Sequence, residues 1–354
     1  MSASLDLPEA PASAERARKG AVRRTRTRAG VVSLVLLAAC AVLAVVALGT
    51  GSLKMSPAEV IGYVRDIGGG YPRYVILHER LPRILTALVF GAALGISGAV
   101  FQSLTRNPLG SPDVIGFSTG AYTGALVVIT VLGTGTSSSA ISVGALVGGI
   151  GTALVVYALA WRGGVAGFRL VIVGIAVTAM LASVNSYLLL RAKLEVAVAA
   201  ATWGAGSFSL LTWSDVLPAL VLVGVLLPVV AVLSGPLRQL ELGDDAARAH
   251  GVPVEPIRLS LIVTAVALTA AVTAVAGPIA FVALSAPQIA HRLCRSAGLP
   301  LVASALTGAF LMLLADFAAQ HWFPQQLPAG VVTVVVGGVY LLWLLASEAR
   351  KKAS

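Results

Sequence analysis

Charge is what this sequence has least of. Only 11% of its 354 residues are Asp, Glu, Lys or Arg, against roughly 25% in an average soluble domain. A soluble protein of this size cannot cover its surface with so few charges, so a soluble enzyme or regulatory domain is excluded. Cysteine is scarcer still. Cys40 and Cys294 are the only two, both in apolar surroundings, which excludes a disulfide framework and a thiolate metal site. The four histidines, His78, His250, His291 and His321, are scattered, and no H-E-x-x-H is present. No lysine sits in a G-x-x-x-x-G-K-[ST] phosphate loop. The residues therefore offer no catalytic group, no metal ligand set and no nucleotide cradle. Any ATP-driven role must take its nucleotide site from another subunit.

What the sequence has is hydrocarbon, with 57% apolar residues. Stretches of about 20 apolar residues, the length that crosses a bilayer, occupy 31–49, 83–104, 114–132, 139–160, 168–190, 215–234, 258–276, 301–319 and 329–346. A shorter run, "IAFVALSAPQIA" at 279–290, reads as a half-span broken on both sides by Pro278 and Pro287. The fold class is thus an all-α polytopic membrane protein of ten spans, with both termini on one side.

The basic residues orient it. Arg16, Arg18, Lys19, Arg23, Arg24, Arg26 and Arg28 precede the first span, and Arg350, Lys351 and Lys352 follow the last. With the N-terminus cytoplasmic, eighteen of the 25 Lys and Arg fall inside and seven outside, as the positive-inside pattern requires. Residues 1–30 are expected to be a disordered basic cytoplasmic tail, 31–347 the membrane domain and 348–354 a second basic tail. The net charge of +10 goes to cytoplasmic retention and anionic lipid, not to nucleic acid. "LLAAC", ending at Cys40, looks like a lipoprotein cleavage site, but the apolar run continues to Leu48, as an uncleaved first helix does.

Two features inside the spans stand out. "GAALGISGAV" places Gly91, Gly95 and Gly98 on or near one helical face, the small-residue pattern of closely packed membrane helices. Asp316, in "LMLLADFAAQHW", is the one carboxylate well inside an apolar run. It is either a proton or cation site of an ion-coupled transporter or a structural hydrogen-bonding group.

A third feature lies between spans. "LRQLELGDDAARAHGVPVEPIRL", residues 237–259, holds eight ionisable side chains. Its "DDAARAHG" starts acidic, turns basic and stops at Gly251 before Pro253, which suits a short helix on the cytoplasmic face.

These pieces together resemble one family. "RLPRILTALVFGAALGISGAVFQSLTRNPLGSPDVIGFSTGA" (80–121), "LGDDAARAHGV" (242–252), "AVAGPIAFVALSAP" (274–287), "LLADFAAQ" (313–320) and "LPAGVVTVVVGG" (327–338) resemble blocks of the FecCD-type permeases. Those are the membrane subunits of ABC importers for ferric siderophores, haem and vitamin B12. The resemblance implies a ten-helix permease in the cell membrane, paired with a second permease subunit, a paralogue in preference to a second copy. It also implies two ATPase subunits, which hold ATP-Mg, and an extracytoplasmic binding protein, while this chain binds no cofactor. Within the coupling loop 236–257, Gly243, Asp244, Asp245, Ala246, Ala247, Arg248 and Gly251 would seat in the ATPase. Arg80 and Arg83 would dock the binding protein. Pro287-Gln288, and Gly337-Gly338-Val339-Tyr340 in the last helix, look most like ferric enterobactin-type permeases. A ferric siderophore is therefore the expected cargo, ahead of cobalamin or haem.

Overall fold

A computed structural model describes residues 12–65, 69–113, 116–133, 138–161, 167–209, 211–296 and 298–353. Residues 1–11 of the basic tail and 114–115 at the head of the third span lie outside the described residues. The described chain is helical, with no β-strand. It begins with α1 (Ala12–Gly49), α2 (Pro57–Val64) and α3 (Tyr71–Tyr74), which runs through a π-helical segment (Val75–Arg80) into α4 (Leu81–Thr105). Next come α5 (Phe117–Leu132), α6 (Ser138–Ala160), α7 (Gly167–Arg191), α8 (Leu194–Gly204) and α9 (Trp213–Glu241). The remainder is α10 (Asp244–Ala249), α11 (Val254–Ala276), α12 (Val282–Cys294), α13 (Leu301–His321) and α14 (Ala329–Ala353).

Seven of the described helices are long and apolar enough to cross a membrane, and the apolar stretches Phe117–Leu132, Leu194–Gly204 and Ala329–Leu344 are shorter. Each of the ten apolar stretches read from the sequence is a helix, but their boundaries differ. The tail expected to be disordered is helical from Ala12, because Ala, Arg and Lys are strong helix formers. The basic C-terminal tail likewise continues α14 as far as Ala353. The helix α9 passes through Pro218, Pro228 and Pro236 as far as Glu241, which shortens the loop expected at 236–257 to the residues around α10. Neighbouring helices make such prolines tolerable within a membrane.

The half-span is broken at one side only. The chain leaves helix at Gly277 (φ 73°) and re-enters at Phe281, itself left-handed at φ 70°. Pro287, expected to end the segment, lies inside α12.

That proline has a packing consequence. Lacking an N–H, it cannot bond the carbonyl four residues back, which belongs to Ala283. A Cβ added at Gly98 would run into that same carbonyl oxygen. The relieved acceptor therefore faces a Cα that only glycine can present at this range. On the same helix, added carbons at Gly91 and Gly95 would strike the carbonyls of Gly308 and Ser304 on α13. The expectation of close packing at Gly91, Gly95 and Gly98 is thus matched by backbone contact with α12 and α13.

The helix α4 sits at the centre, against α13, α11, α12 and α9. Phe90, Leu94 and Phe101 on it are fully buried. The α5–α6 pair repeats the device, with added carbons at Gly124 and Gly148 striking the carbonyls of Gly144 and Gly120. By contrast, α7, α9 and α14 show long apolar faces outward, among them Ile175, Met180, Val225, Val232, Val335 and Leu342. Between helices in lipid there is no gain from leaving water, so contact packing has to hold the bundle.

Gly98→Ala should therefore lower thermal stability in detergent, at the overpacking cost of about 1–3 kcal/mol. Gly224→Ala on α9, where an added carbon meets nothing within 4 Å, should leave the midpoint unchanged. Equal midpoints for the two variants would refute the backbone contact.

Candidate functional site

The two ends of α4 carry most of the paired charge of the described residues. At its N-terminal end, Arg83 forks onto Asp316 of α13. Its Nη2 donates to Oδ1 at 2.8 Å and its Nε to Oδ2 at 2.9 Å. Gln320, one turn on from Asp316, donates to Oδ2 at 2.8 Å. Asp316 is 1% exposed and Arg83 16%, so this is a buried, two-pronged ion pair. Arg80 is committed differently, donating to the carbonyls of Leu48 at 2.6 Å and Leu53 at 2.9 Å.

Both arginines expected to reach outward to a partner are thus engaged within the chain. Asp316, in turn, is a carboxylate held by a guanidinium and an amide. An open cavity of about 480 Å³ at this end is lined by Tyr74, His78, Glu79, Arg80, Arg83 and Gln320.

The charged segment lies at the other end, past Thr105. It forms α10, entered through Gly243 at φ 123° and left through Gly251 at φ 79°, conformations that glycine adopts without penalty. Between them the residues divide by direction. Ala247 is wholly buried. Asp245 stands fully in solvent, with Arg248 beside it at 3.1 Å. Asp244 turns inward: Oδ1 accepts from Arg106 at 3.0 Å and Oδ2 from Arg258 at 2.7 Å. Burial pushes the Asp244 carboxyl up, but Arg258, followed by Arg106, outweighs it and holds the group below its ordinary 3.8. Its contribution is therefore present above the ordinary carboxylate range and is lost only as pH falls through that depressed value.

Further bonds knit the same corner. Ser103 donates to Glu241 Oε1 at 2.7 Å, and Arg106 to the Leu240 carbonyl at 3.1 Å. Arg106, Arg258, Glu241 and Ser103 were not anticipated as site residues. They lie up to 138 positions from the partners they meet, and only the fold joins them.

Two polar features fall elsewhere. A cavity of about 320 Å³ is lined by Ser118, Thr119, Tyr122, Asn185, Ser186 and Pro278, and the buried Asn185 Oδ1 has no hydrogen-bond partner. Gly116–Gly120 spells G-x-S-x-G, but the Ser118 hydroxyl donates to Asp113, and the nucleophile turn needs a preceding strand. No cluster of three or more His, Cys, Asp or Glu suited to a metal occurs among the described residues. Gln288 and Gly337, which carry the resemblance to enterobactin-type permeases, also have structural partners. Gln288 donates to Gln102 at 2.6 Å, and an added carbon at Gly337 would strike the Phe281 side chain.

Comparison with known proteins places this geometry. Residues 36–347 match the FecCD transport family. The chain is 49% identical over 323 residues to the ferric enterobactin transport system permease protein FepG of Escherichia coli (strain K12), covering 91% of this chain and 97% of that one. It is 35% identical over 327 residues to the achromobactin transport system permease protein CbrC of Dickeya dadantii (strain 3937), covering 91% and 93%. Among solved structures, a metal-chelate type ABC transporter in an inward-facing conformation superposes with a TM-score of 0.77 at 27% identity, covering 90% of this chain and 99% of that one.

The Arg83–Asp316 pair generates a stability test. Arg83→Ala and Asp316→Ala should each destabilise by about 3–5 kcal/mol, since each leaves a buried charge uncompensated. The double variant should cost less than the two losses added together. Strictly additive thermal shifts in detergent would show that the two residues do not act as a pair.

Proposed function

This chain belongs to the FecCD transport family, and we propose that it is the permease subunit of an ATP-driven importer of ferric siderophores. The observation that carries the reading is likeness along nearly the whole of both chains to a permease named for ferric enterobactin. A further relative, 34% identical and named for Fe(3+)-citrate import, favours ferric chelates over cobalamin and haem.

The multi-pass bundle supplies a gate and no fuel. In this reading hydrolysis belongs to two ATPase subunits, which bind ATP-Mg and press on α10 from the cytoplasm. A second permease subunit, a paralogue by preference, completes the path, and a binding protein delivers cargo at the Arg80 end. Both termini then lie in the cytoplasm, where the basic helix ends meet anionic lipid. The neutral cavity with Ser118, Tyr122 and Asn185 suits a path for bulky cargo, because amides and hydroxyls contact a chelate without trapping it. The ion-coupled alternative rests on Asp316, and its forked bond to Arg83 favours the ATP-driven reading over it.

Coupling through α10 requires its exposed face. Asp245→Lys and Arg248→Glu should each reduce co-purification of the ATPase by about tenfold, equivalent to about 1.4 kcal/mol, with the amount of permease in the membrane unchanged. Full ATPase retention in both variants would reject this coupling surface.

A further inference from the structure

The coupling loop contains two adjacent aspartates that face opposite ways. Asp245 stands fully exposed, whereas Asp244 is about one-third exposed and gives each carboxylate oxygen to a different arginine. Those arginines come from different helices. Arg106 is the left-handed cap that ends α4 (φ 49°), and Arg258 lies in the second turn of α11.

Arg258 is 12% exposed and also donates to Glu255 at 2.8 Å. Arg106 also holds the last turn of α9 through the Leu240 carbonyl. One carboxylate therefore joins α10 to α4 and α11, and one arginine joins α4 to α9. A short helix of six residues cannot hold a position by itself. Its placement rests on this bracket and on the buried Ala247.

The helix so bracketed is the one whose other end holds the Arg83–Asp316 pair. From Leu81 to Thr105 it is a 25-residue rod, about 38 Å long at 1.5 Å per residue, fixed by backbone contact to α12 and α13. We propose that Asp244 is a positioning residue for energy coupling, the joint that makes α10 move as one body with α4 and α11. Asp245 and Arg248 are then the groups that meet the motor, and Asp244 meets it only through their placement. This division rests on the coupling role of α10 and adds to it which side chain transmits and which side chain docks.

The test uses the assembled transporter, permease with ATPase and binding protein, in proteoliposomes. The readouts are ATPase retained on the permease, and the ratio of ATP hydrolysis with cargo-loaded binding protein to hydrolysis without it. Asp244→Asn should retain ATPase yet lower that stimulation ratio by about fivefold or more, the lower range of coupling between distant sites. Asp244→Glu, which keeps the charge, should recover most of it. Arg106→Gln, on a half-exposed side chain, tests the same joint should Asp244→Asn fold poorly, and should lower the ratio likewise. Combined with Asp244→Asn it should add little further loss.

An unchanged stimulation ratio in Asp244→Asn or Arg106→Gln would overturn the proposal, as would additive losses in the double variant. Loss of ATPase retention in Asp244→Asn equal to that in Asp245→Lys would overturn it too, placing Asp244 on the docking face. The wider reading fails separately, if Asp245→Lys and Arg248→Glu leave retention intact.

Discussion

Where α4 lies is decided by three missing side chains, and the arrangement at both of its ends depends on that placement. Gly91, Gly95 and Gly98 let its backbone meet the carbonyls of Gly308, Ser304 and Ala283. In water such a contact adds little to the burial of large apolar groups. In lipid that burial term is absent between helices, and the gain comes from atoms at contact distance. Pro287 supplies the other half of one contact by relieving the Ala283 carbonyl of its helical bond. A glycine on one helix and a proline on the next thus act as a pair, although each alone reads as a weakness of its own helix.

Scarcity of charge follows from the same setting. A charge near hydrocarbon is costly unless it is paired and hydrogen-bonded. Arg80, Arg83, Arg106 and Arg258 each have acceptors within the chain, and Arg83, Arg106 and Arg258 each meet a carboxylate on another helix. The few charges kept are spent on joining helices at the ends of the bundle, where glycine contacts run out. Within the bundle, neutral bonds do the same work at lower desolvation cost, as between Ser97 and the Ala265 carbonyl or Gln102 and the Leu284 carbonyl.

Much of this was legible in the residues. Apolar runs located the helices, because a bilayer imposes one length and one polarity on every span. The glycine face of α4 announced a close approach, and the density of charge in 237–259 announced a segment outside the spans. What could not be read was direction. Asp244 and Asp245 are neighbours of identical chemistry, and what separates them is the arrival at Asp244 of Arg258 from the next helix and of Arg106 from 138 positions away. Likewise, "RLPR" shows two arginines near a span end, and nothing local reveals that Asp316, 233 positions on, claims one of them. Nor does the basic leader reveal that α1 begins at Ala12, although Ala, Arg and Lys favour helix wherever a span continues them.

The different commitments of Arg80 and Arg83 bear on how a binding protein would engage this face. Arg83 commits its Nε and Nη2 to Asp316, so a foreign carboxylate that took over that fork would leave an acid 1% exposed with only the Gln320 amide to hold it. Stranding such a charge costs far more than an exposed ion pair returns. Arg80 faces no such penalty, since its partners are the neutral carbonyls of Leu48 and Leu53. It can accept a carboxylate at the cavity it lines while losing at most one ordinary hydrogen bond. Of two arginines three residues apart, Arg80 is thus held by neutral carbonyls, while Arg83 ties α4 to α13 through its Nε and Nη2.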